Sequence, residues 1–318
     1  MDLSKETISF LDGLWGKALT RPWRDLSSRP RKEIRSQFVN VGFLLAGGTV
    51  EQLETTSRFS LQCLQEAIET LHLGSVIIGD IEDDSLKRRG GPALHRVYGV
   101  PVALNLGNYL YFEALEKIRE APLSPNVKIQ LYEAYHHTLL QGHRGQALDL
   151  SLRIDELDLE NIEEVCMKSL QLKSGALASL AFKMGALVYD EKAPLSDLEE
   201  MGTRFGMALQ MFDDIKHLEE LTLHRPSWIW TALVRFYSME EFLLFKMAIS
   251  ELPEMSSLLD FLEHTDLKTK ALAEAKSYHQ STMDLIRARF DLSESHAAYQ
   301  RMQAINETIW SEPSANLG

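Results

Sequence analysis

Apolar residues recur at helical spacing along most of the chain, and the strict alternation typical of strands is almost absent. Segments 127–140, 175–187 and 239–249 each carry apolar side chains at i, i+3 and i+4, which places those side chains on one face of a helix. Proline and glycine are concentrated between such segments, where they end helices. The pattern predicts an all-α protein, a helix bundle around a central cavity that forms a single domain over residues 1–318.

Composition and charge narrow the function classes. The 318 residues are 45% hydrophobic and 25% charged, and the net charge of −13 argues against a surface for nucleic acid or anionic membranes. Cys63 and Cys166 lie far apart, without metal-ligand spacing, which predicts reduced thiols. The first residues lack the features of a signal peptide, and no apolar run reaches the ~18 residues of a membrane span. We therefore expect a cytoplasmic protein with no transmembrane segment and no nucleic-acid partner.

Four carboxylates and then three cations follow one apolar helical segment within thirteen residues. If the helix continues, Asp80, Asp83 and Asp84 share one face, where their like charges repel each other. A divalent cation such as Mg²⁺, which prefers carboxylate oxygens and recruits phosphate, would neutralise them. Arg88 and Arg89 suit bidentate contacts with phosphate. Taken alone, the stretch also fits a solvated acidic helix end.

A second acidic pair, Asp213 and Asp214, ends the apolar segment 205–212, and this repetition favours the metal interpretation. The pairing resembles the trans-isoprenyl diphosphate synthase (polyprenyl synthetase) family, in which two aspartate-rich motifs face each other across a helical cavity. The resemblance extends from Arg29 to Ser227 and includes several family signatures in the same order. It implies the type I isoprenoid synthase fold.

The resemblance also implies a site for the diphosphate of isopentenyl diphosphate. Lys32 and Arg35 match the basic segment that holds this group in the family, although four cations before a helix also fit a solvated helix start. His72 matches a histidine that binds the same substrate, although a lone histidine on an apolar helix is more often a core residue. The small residues at positions 74 and 75 lack the aromatic ring that stops chain growth in related enzymes, which implies a product of twenty carbons or more.

Both aspartate motifs depart from the family pattern. Asp80 and Asp83 match the second and last aspartates of the family's D-D-x-x-D motif, and Gly79 stands where the first would be. Asp80 and Asp84 would form a substitute i, i+4 pair, rotated around the helix axis. In the second motif His217 replaces the last aspartate. The resemblance thus implies a rearranged or weakened metal site, with ligands Asp80, Asp83, Asp84, Asp213 and Asp214.

The remaining signatures belong to the allylic substrate. Lys173 and Ser174 lie in a segment that resembles the family's K-[TS]-G motif, and residues 145–149 resemble its G-Q-x-x-D segment. A lysine inside an apolar helix is costly to bury unless it is paired, so Lys173 should point at an anion. The expected anion is the allylic diphosphate. Gln210 and Arg225 complete the implied substrate-binding set, with Arg225 in the role of a loop lysine.

The resemblance implies a Mg²⁺-dependent prenyltransferase that joins an allylic diphosphate to isopentenyl diphosphate head to tail, with two or three Mg²⁺ ions once diphosphate is bound. The implied catalytic residues are Asp80, Asp83, Lys173 and Asp213. Family members act as dimers, so we expect a homodimer or, alternatively, a heterodimer. Two other functions stay open because of the altered motifs: a class I terpene synthase-like enzyme that uses one allylic diphosphate, and a catalytically weak partner or regulatory subunit of a prenyl synthase.

Overall fold

The structure is a computed structural model that describes residues 13–30, 34–252 and 254–310. In these ranges the chain is almost entirely helical, and the strands are one antiparallel pair of two residues each. The prediction of an all-α protein is therefore confirmed. The elements of the first part of the chain are α1 (Arg21–Ser27), α2 (Ile34–Leu45), α3 (Val50–Glu54), α4 (Arg58–Glu82), β1 (Lys87–Arg88), β2 (Gly91–Pro92), α5 (Leu94–Tyr98) and α6 (Val100–Glu120).

The rest of the described chain forms further α-helices. They are α7 (Pro125–Ser151), α8 (Leu159–Leu170), α9 (Ala176–Tyr189), α10 (Leu195–Lys216), α11 (Trp228–Phe236), α12 (Met239–Ser250), α13 (Ser256–Thr265), α14 (Leu267–Arg289) and α15 (Ala297–Trp310). A π-helical turn, Gln171–Gly175, lies between α8 and α9. No helix in the described ranges is long and apolar enough to cross a membrane.

The chain divides into two compact units. The first comprises the residues up to Ser36 together with Phe59–Leu123, and the second comprises Gln37–Arg58 together with the residues from Ser124 onward. The expectation of a single domain over residues 1–318 stays a prediction.

In the first unit, α4 and α6 pack closely at two glycines. A Cβ atom added to Gly74 would lie 2.9 Å from the carbonyl oxygen of Gly107 and 3.1 Å from the Tyr111 ring. Leu73 and Ile77 of α4 are buried in the same core. The small residue at position 74 is therefore required by helix packing, and α6 places an aromatic ring beside it.

In the second unit, α9 is buried on nearly all sides, which explains its almost continuously apolar sequence. Gly185 lets the later part of α2 approach this helix, because an added Cβ would lie 1.7 Å from the carbonyl oxygen of Val39. The helix also buries Lys183, whose ammonium group donates to Glu199 at 2.9 Å. This helix supports the segment before it, which carries Lys173 and Ser174.

Candidate functional site

The first acidic motif lies where α4 ends, at Glu82. The N–H of Asp83 still bonds to the carbonyl of Gly79 at 2.9 Å, but Asp84 has a left-handed backbone with φ of 51°. The expectation that Asp84 shares a helical face with Asp80 is therefore wrong, because the helix stops before Asp84. The substitute i, i+4 pair does not form, and the Asp84 carboxylate contacts Arg96 instead.

Asp80 is buried, and its carboxylate is held by Arg88. One oxygen accepts hydrogen bonds from Arg88 Nε at 2.8 Å and Nη2 at 2.6 Å. Burial raises the pKa of Asp80, while the hydrogen bond and positive charge of Arg88 oppose that rise. The structure thus makes Asp80 an anchor for an arginine side chain.

Arg88 and Arg89 lie on a hairpin that turns through two residues with positive φ. Arg88 of β1 pairs with Gly91 of β2, and the turn consists of Arg89, with φ of 51°, and Gly90, with φ of 75°. Such turns match the twist of the paired strands, but the left-handed conformation costs a residue with a Cβ about 1–2 kcal/mol. The surroundings of the hairpin must offset that cost.

Arg35, His72, Arg88 and Arg89 share one electropositive environment in the first unit. Burial first, and then the charges of Arg35, Arg89 and Arg88, lower the pKa of His72 well below its ordinary value. The N–H of Ser36 donates to Glu69 at 3.0 Å, which ties the segment with Arg35 to the helix that carries His72. Three of the arginines and lysines predicted for the first unit, Arg35, Arg88 and Arg89, thus lie near enough to His72 to act on its charge, and Lys32 falls outside the described residues.

The second acidic motif directs its two carboxylates differently. Asp214 accepts hydrogen bonds from Gln210 Nε2 at 2.8 Å and from the N–H of Trp228 at 2.7 Å. Burial raises the pKa of Asp214 to about 7, although both hydrogen bonds oppose this. Asp213 is 60% exposed, with His217 Nδ1 3.5 Å from its carboxylate. Asp213 is therefore the carboxylate of this motif that solvent or a ligand can reach.

Gln210 and Ser174 belong to the same hydrogen-bonded chain as Asp214. The hydroxyl of Ser174 donates to Gln210 Oε1 at 2.6 Å, and Gln210 donates in turn to Asp214. This hydrogen-bond network connects the turn before α9 with α10 and α11. Its members are Ser174, Gln210, Asp214 and the N–H of Trp228. Arg225 is half-buried in the connection that precedes α11.

Lys173 points at an anion of the protein itself, Asp149, and its expected contact with the allylic diphosphate stays a prediction. The ammonium group donates to one carboxylate oxygen of Asp149, and Ser169 Oγ donates to the other at 2.6 Å. Asp149 and Ser169 are buried, whereas the Lys173 side chain is 38% exposed. The charge of Lys173 is thus balanced by Asp149, while part of its side chain stays accessible to solvent.

Sequence reasoning assigned no role to Ser169 or to the N–H of Trp228. Ser169 lies four residues before Lys173, one helical turn away, so the shared face could have been found from the spacing. The N–H of Trp228 left no sequence signal, because a backbone donor is present at almost every residue.

The carboxylates of the two acidic motifs fit Mg²⁺ only if substrate phosphates supply further ligands. Among the described residues, no group of three or more histidine, cysteine or carboxylate side chains is gathered for a metal. Mg²⁺ usually keeps several waters and is bound through one or two carboxylates together with substrate phosphates. In the second unit Asp213 fits that role because it is 60% exposed, and in the first unit Asp83 is the family-matched aspartate that is not fully buried.

A family model and a curated relative both match this chain over about two thirds of its length. The family model described as polyprenyl synthetase matches residues 16–222. Geranylgeranyl pyrophosphate synthase 2 of Zymoseptoria tritici is 32% identical over 221 residues, which are 69% of this chain and 62% of that protein. The chain thus spans less than two thirds of the length of this relative.

Solved structures share the fold. Geranylgeranyl pyrophosphate synthetase from Pyrococcus horikoshii has a TM-score of 0.76 at 21% identity and covers 97% of each chain. Geranylgeranyl pyrophosphate synthase from Corynebacterium glutamicum, complexed with isoprenyl diphosphate and magnesium, has a TM-score of 0.73 at 18% identity and covers 89% of this chain and 87% of that one. These likenesses confirm the predicted type I isoprenoid synthase fold.

Proposed function

Because the chain belongs to the polyprenyl synthetase family, we propose that it is a prenyltransferase that condenses an allylic diphosphate with isopentenyl diphosphate head to tail. The observation that carries this proposal is the electropositive environment of Arg35, His72, Arg88 and Arg89 in the first unit. Coupling of two substrates needs a second diphosphate site, and these residues have the chemistry for one. A terpene cyclase needs only the allylic site.

The residues of the first unit would hold the diphosphate of isopentenyl diphosphate. Guanidinium groups bind phosphate oxygens in bidentate fashion, and Arg88 keeps its orientation because Asp80 binds its Nε and Nη2. His72 stays a neutral imidazole among these cations, so it can donate one N–H without adding further charge. The site therefore neutralises the diphosphate with arginine and fixes it with histidine.

The residues of the second unit would serve the allylic diphosphate. Ionisation of this substrate separates a diphosphate anion from an allylic carbocation, and cations that hold the leaving group lower the barrier. Lys173 would bind a diphosphate oxygen while Asp149, itself fixed by the hydroxyl of Ser169, holds the ammonium group in place. We propose that Ser174 lies near the developing carbocation, where its carbonyl oxygen stabilises positive charge.

Mg²⁺, on which the family depends, would supply further charge stabilisation to the leaving diphosphate when bound. We propose two or three ions, and in each unit one carboxylate, Asp83 in the first and Asp213 in the second, would bind Mg²⁺ together with substrate phosphates. Asp80, Asp84 and Asp214 remain in the proposed set, with Asp80 and Asp214 acting through hydrogen bonds to neighbouring side chains. Arg225 is proposed to contact the same diphosphate.

We also propose a homodimer and a product of twenty carbons or more. Val100, Leu104 and Phe112 expose apolar side chains along α6, a face that a second copy of the chain would cover. The product length follows from the family resemblance at positions 74 and 75, with the Tyr111 ring of α6 beside Gly74 as the nearest aromatic group.

A second candidate function is a catalytically weak partner subunit of another prenyl synthase. The observation that favours it is the state of the first motif, in which Gly79 offers no ligand and the Asp80 carboxylate binds Arg88. A heterodimer would then supply the metal site from the other chain.

The test is a product assay of the purified chain with Mg²⁺ and labelled isopentenyl diphosphate, primed separately with five-, ten- and fifteen-carbon allylic diphosphates. Gly79→Asp is assayed beside it, because a Cβ at position 79 meets no atom within 4 Å and the variant should fold. Elongation by the wild-type chain supports the prenyltransferase. Elongation by Gly79→Asp alone supports the partner subunit, and conversion of an allylic diphosphate alone supports the terpene synthase-like alternative.

A further inference from the structure

Arg29 lies just after α1 and binds the hairpin that carries Arg88 and Arg89. Its Nη1 group donates to the carbonyl oxygen of Arg88 at 2.9 Å and to that of Pro92 at 2.7 Å. One guanidinium group therefore bridges both strands of the hairpin. Gly91 permits this approach, because an added Cβ would lie 3.0 Å from Arg29 Cζ.

The other side of the Arg29 guanidinium is fixed by Asp25. Nε and Nη2 of Arg29 donate to Asp25 Oδ1 at 3.1 Å and 2.9 Å, and the hydroxyl of Tyr98 donates to Oδ2 at 3.0 Å. The Arg29 side chain is only 11% exposed, so water competes little for these bonds. Asp25, Arg29 and Tyr98 together form a clamp on the hairpin.

The hairpin needs an external tether. Its strands have two residues each, and two-stranded hairpins are marginally stable in water even when they are longer. Arg89 also holds a left-handed backbone, which opposes the turn. The clamp holds the backbone of the hairpin at Arg88 and Pro92, while Asp80 holds the side chain of Arg88.

We propose that Arg29 is a positioning residue that presents Arg88 and Arg89 to the diphosphate without contacting it. This inference rests on the proposed function, which gives the two arginines their ligand. Without the clamp the hairpin would sample other conformations, and each binding event would have to reorder it, which lowers the apparent affinity. Lysine cannot replace Arg29, because a single ammonium group cannot span Asp25 and two carbonyl oxygens in a fixed plane.

The experiment measures binding of inorganic pyrophosphate to the full chain by calorimetry, together with hydrogen exchange of the backbone amides in the hairpin. Arg29→Lys keeps the charge and should weaken binding about tenfold, the effect of losing two hydrogen bonds of ordinary strength. It should also speed exchange in the hairpin. Two further variants should weaken pyrophosphate binding and speed exchange by smaller factors. Gly91→Ala displaces the Arg29 guanidinium from the hairpin side, and Tyr98→Phe removes the hydrogen bond that holds Asp25.

The matched control is Arg235→Lys. The guanidinium group of Arg235 also has two partners, Glu163 and Glu274, but Arg235 lies in the second unit. This variant should bind pyrophosphate like the wild type, with an unchanged exchange rate in the hairpin.

The outcomes separate the two proposals. If the wild-type chain does not bind pyrophosphate, the proposed diphosphate site fails, and the positioning role fails with it. If the wild type binds and Arg29→Lys binds equally well, the proposed function stands and the positioning role of Arg29 is overturned. Arg29→Lys could also lose affinity in parallel with its melting temperature while exchange in the hairpin stays unchanged. That result would show a general structural role and would overturn the positioning role of Arg29.

Discussion

Lys173 and Asp149 are 24 residues apart in sequence, and the ammonium group of one donates to the buried carboxylate of the other. The carboxylate is further fixed by Ser169, so the charged end of Lys173 has a defined place even without substrate. An anion that approaches Lys173 meets a preorganised cation, which is the condition for electrostatic stabilisation without reorganisation.

The pair should therefore be energetically coupled. In a double-mutant cycle with Asp149→Asn and Lys173→Met, the coupling free energy should be about 1–2 kcal/mol, reduced from the value of a fully buried pair because the Lys173 side chain is 38% exposed. Urea denaturation of the four proteins gives this quantity. The exposed pair Arg287 and Glu294 serves as control and should show less than about 0.5 kcal/mol. Equal coupling in both cycles would contradict the preorganised arrangement.

Asp214 predicts a pH dependence of stability in the absence of metal. Its pKa is raised to about 7 in the folded chain, so between about pH 4 and pH 7 the folded state binds a proton that the unfolded state has released. The free energy of unfolding should therefore rise as the pH falls through this window, with a contribution of up to about 1 kcal/mol per pH unit. Denaturation at several pH values with a chelator present measures the slope.

Asp214→Asn is the control for that slope. Asparagine keeps an oxygen that can accept from the N–H of Trp228, but it does not titrate. The wild type should lose stability relative to this variant as the pH rises from about 4 to about 7, and the difference should level off above that window. A difference independent of pH would show that Asp214 titrates in its ordinary range.

His72 should remain uncharged throughout the physiological pH range. Burial and the nearby charges of Arg35, Arg89 and Arg88 lower its pKa well below the ordinary value, so the neutral imidazole is the form that meets the substrate. Histidine ring resonances followed by NMR should show the His72 ring, assigned by its loss in His72→Gln, without a titration step near neutral pH. Replacing Arg35 with glutamine should move the pKa of His72 upward, because one repelling charge is removed.

Gly74→Ala should destabilise the first unit, whereas Gly79→Ala on the same helix should not. The added methyl group at position 74 would meet the carbonyl oxygen of Gly107 at 2.9 Å and the Tyr111 ring at 3.1 Å, and a backbone atom cannot turn aside. We expect a loss of about 1–3 kcal/mol. At position 79 the methyl group meets nothing within 4 Å, so higher helix propensity should add up to about 1 kcal/mol. Thermal unfolding of the two variants compares them directly, and equal effects would contradict the packing described here.

The helical architecture was determined by the sequence itself. Segments such as 175–187 repeat their apolar residues at the period of a helix. This periodicity depends only on residues that are neighbours in the sequence. The acidic motifs and the signatures between them are short runs of consecutive residues. The family resemblance could therefore be stated before any tertiary contact was known. The prediction failed at Asp84, because the end of α4 at Glu82 depends on a left-handed residue that the sequence does not mark.

The tertiary structure decided which charges meet. Lys173 was expected to face an anion, but its partner, Asp149, comes from α7. Asp80 and Asp214 were expected as metal ligands, and packing brings Arg88 to the first and the N–H of Trp228 to the second. The reason is physical: periodicity records which face of a helix is buried, whereas the partner of a buried polar group depends on the elements packed against that face.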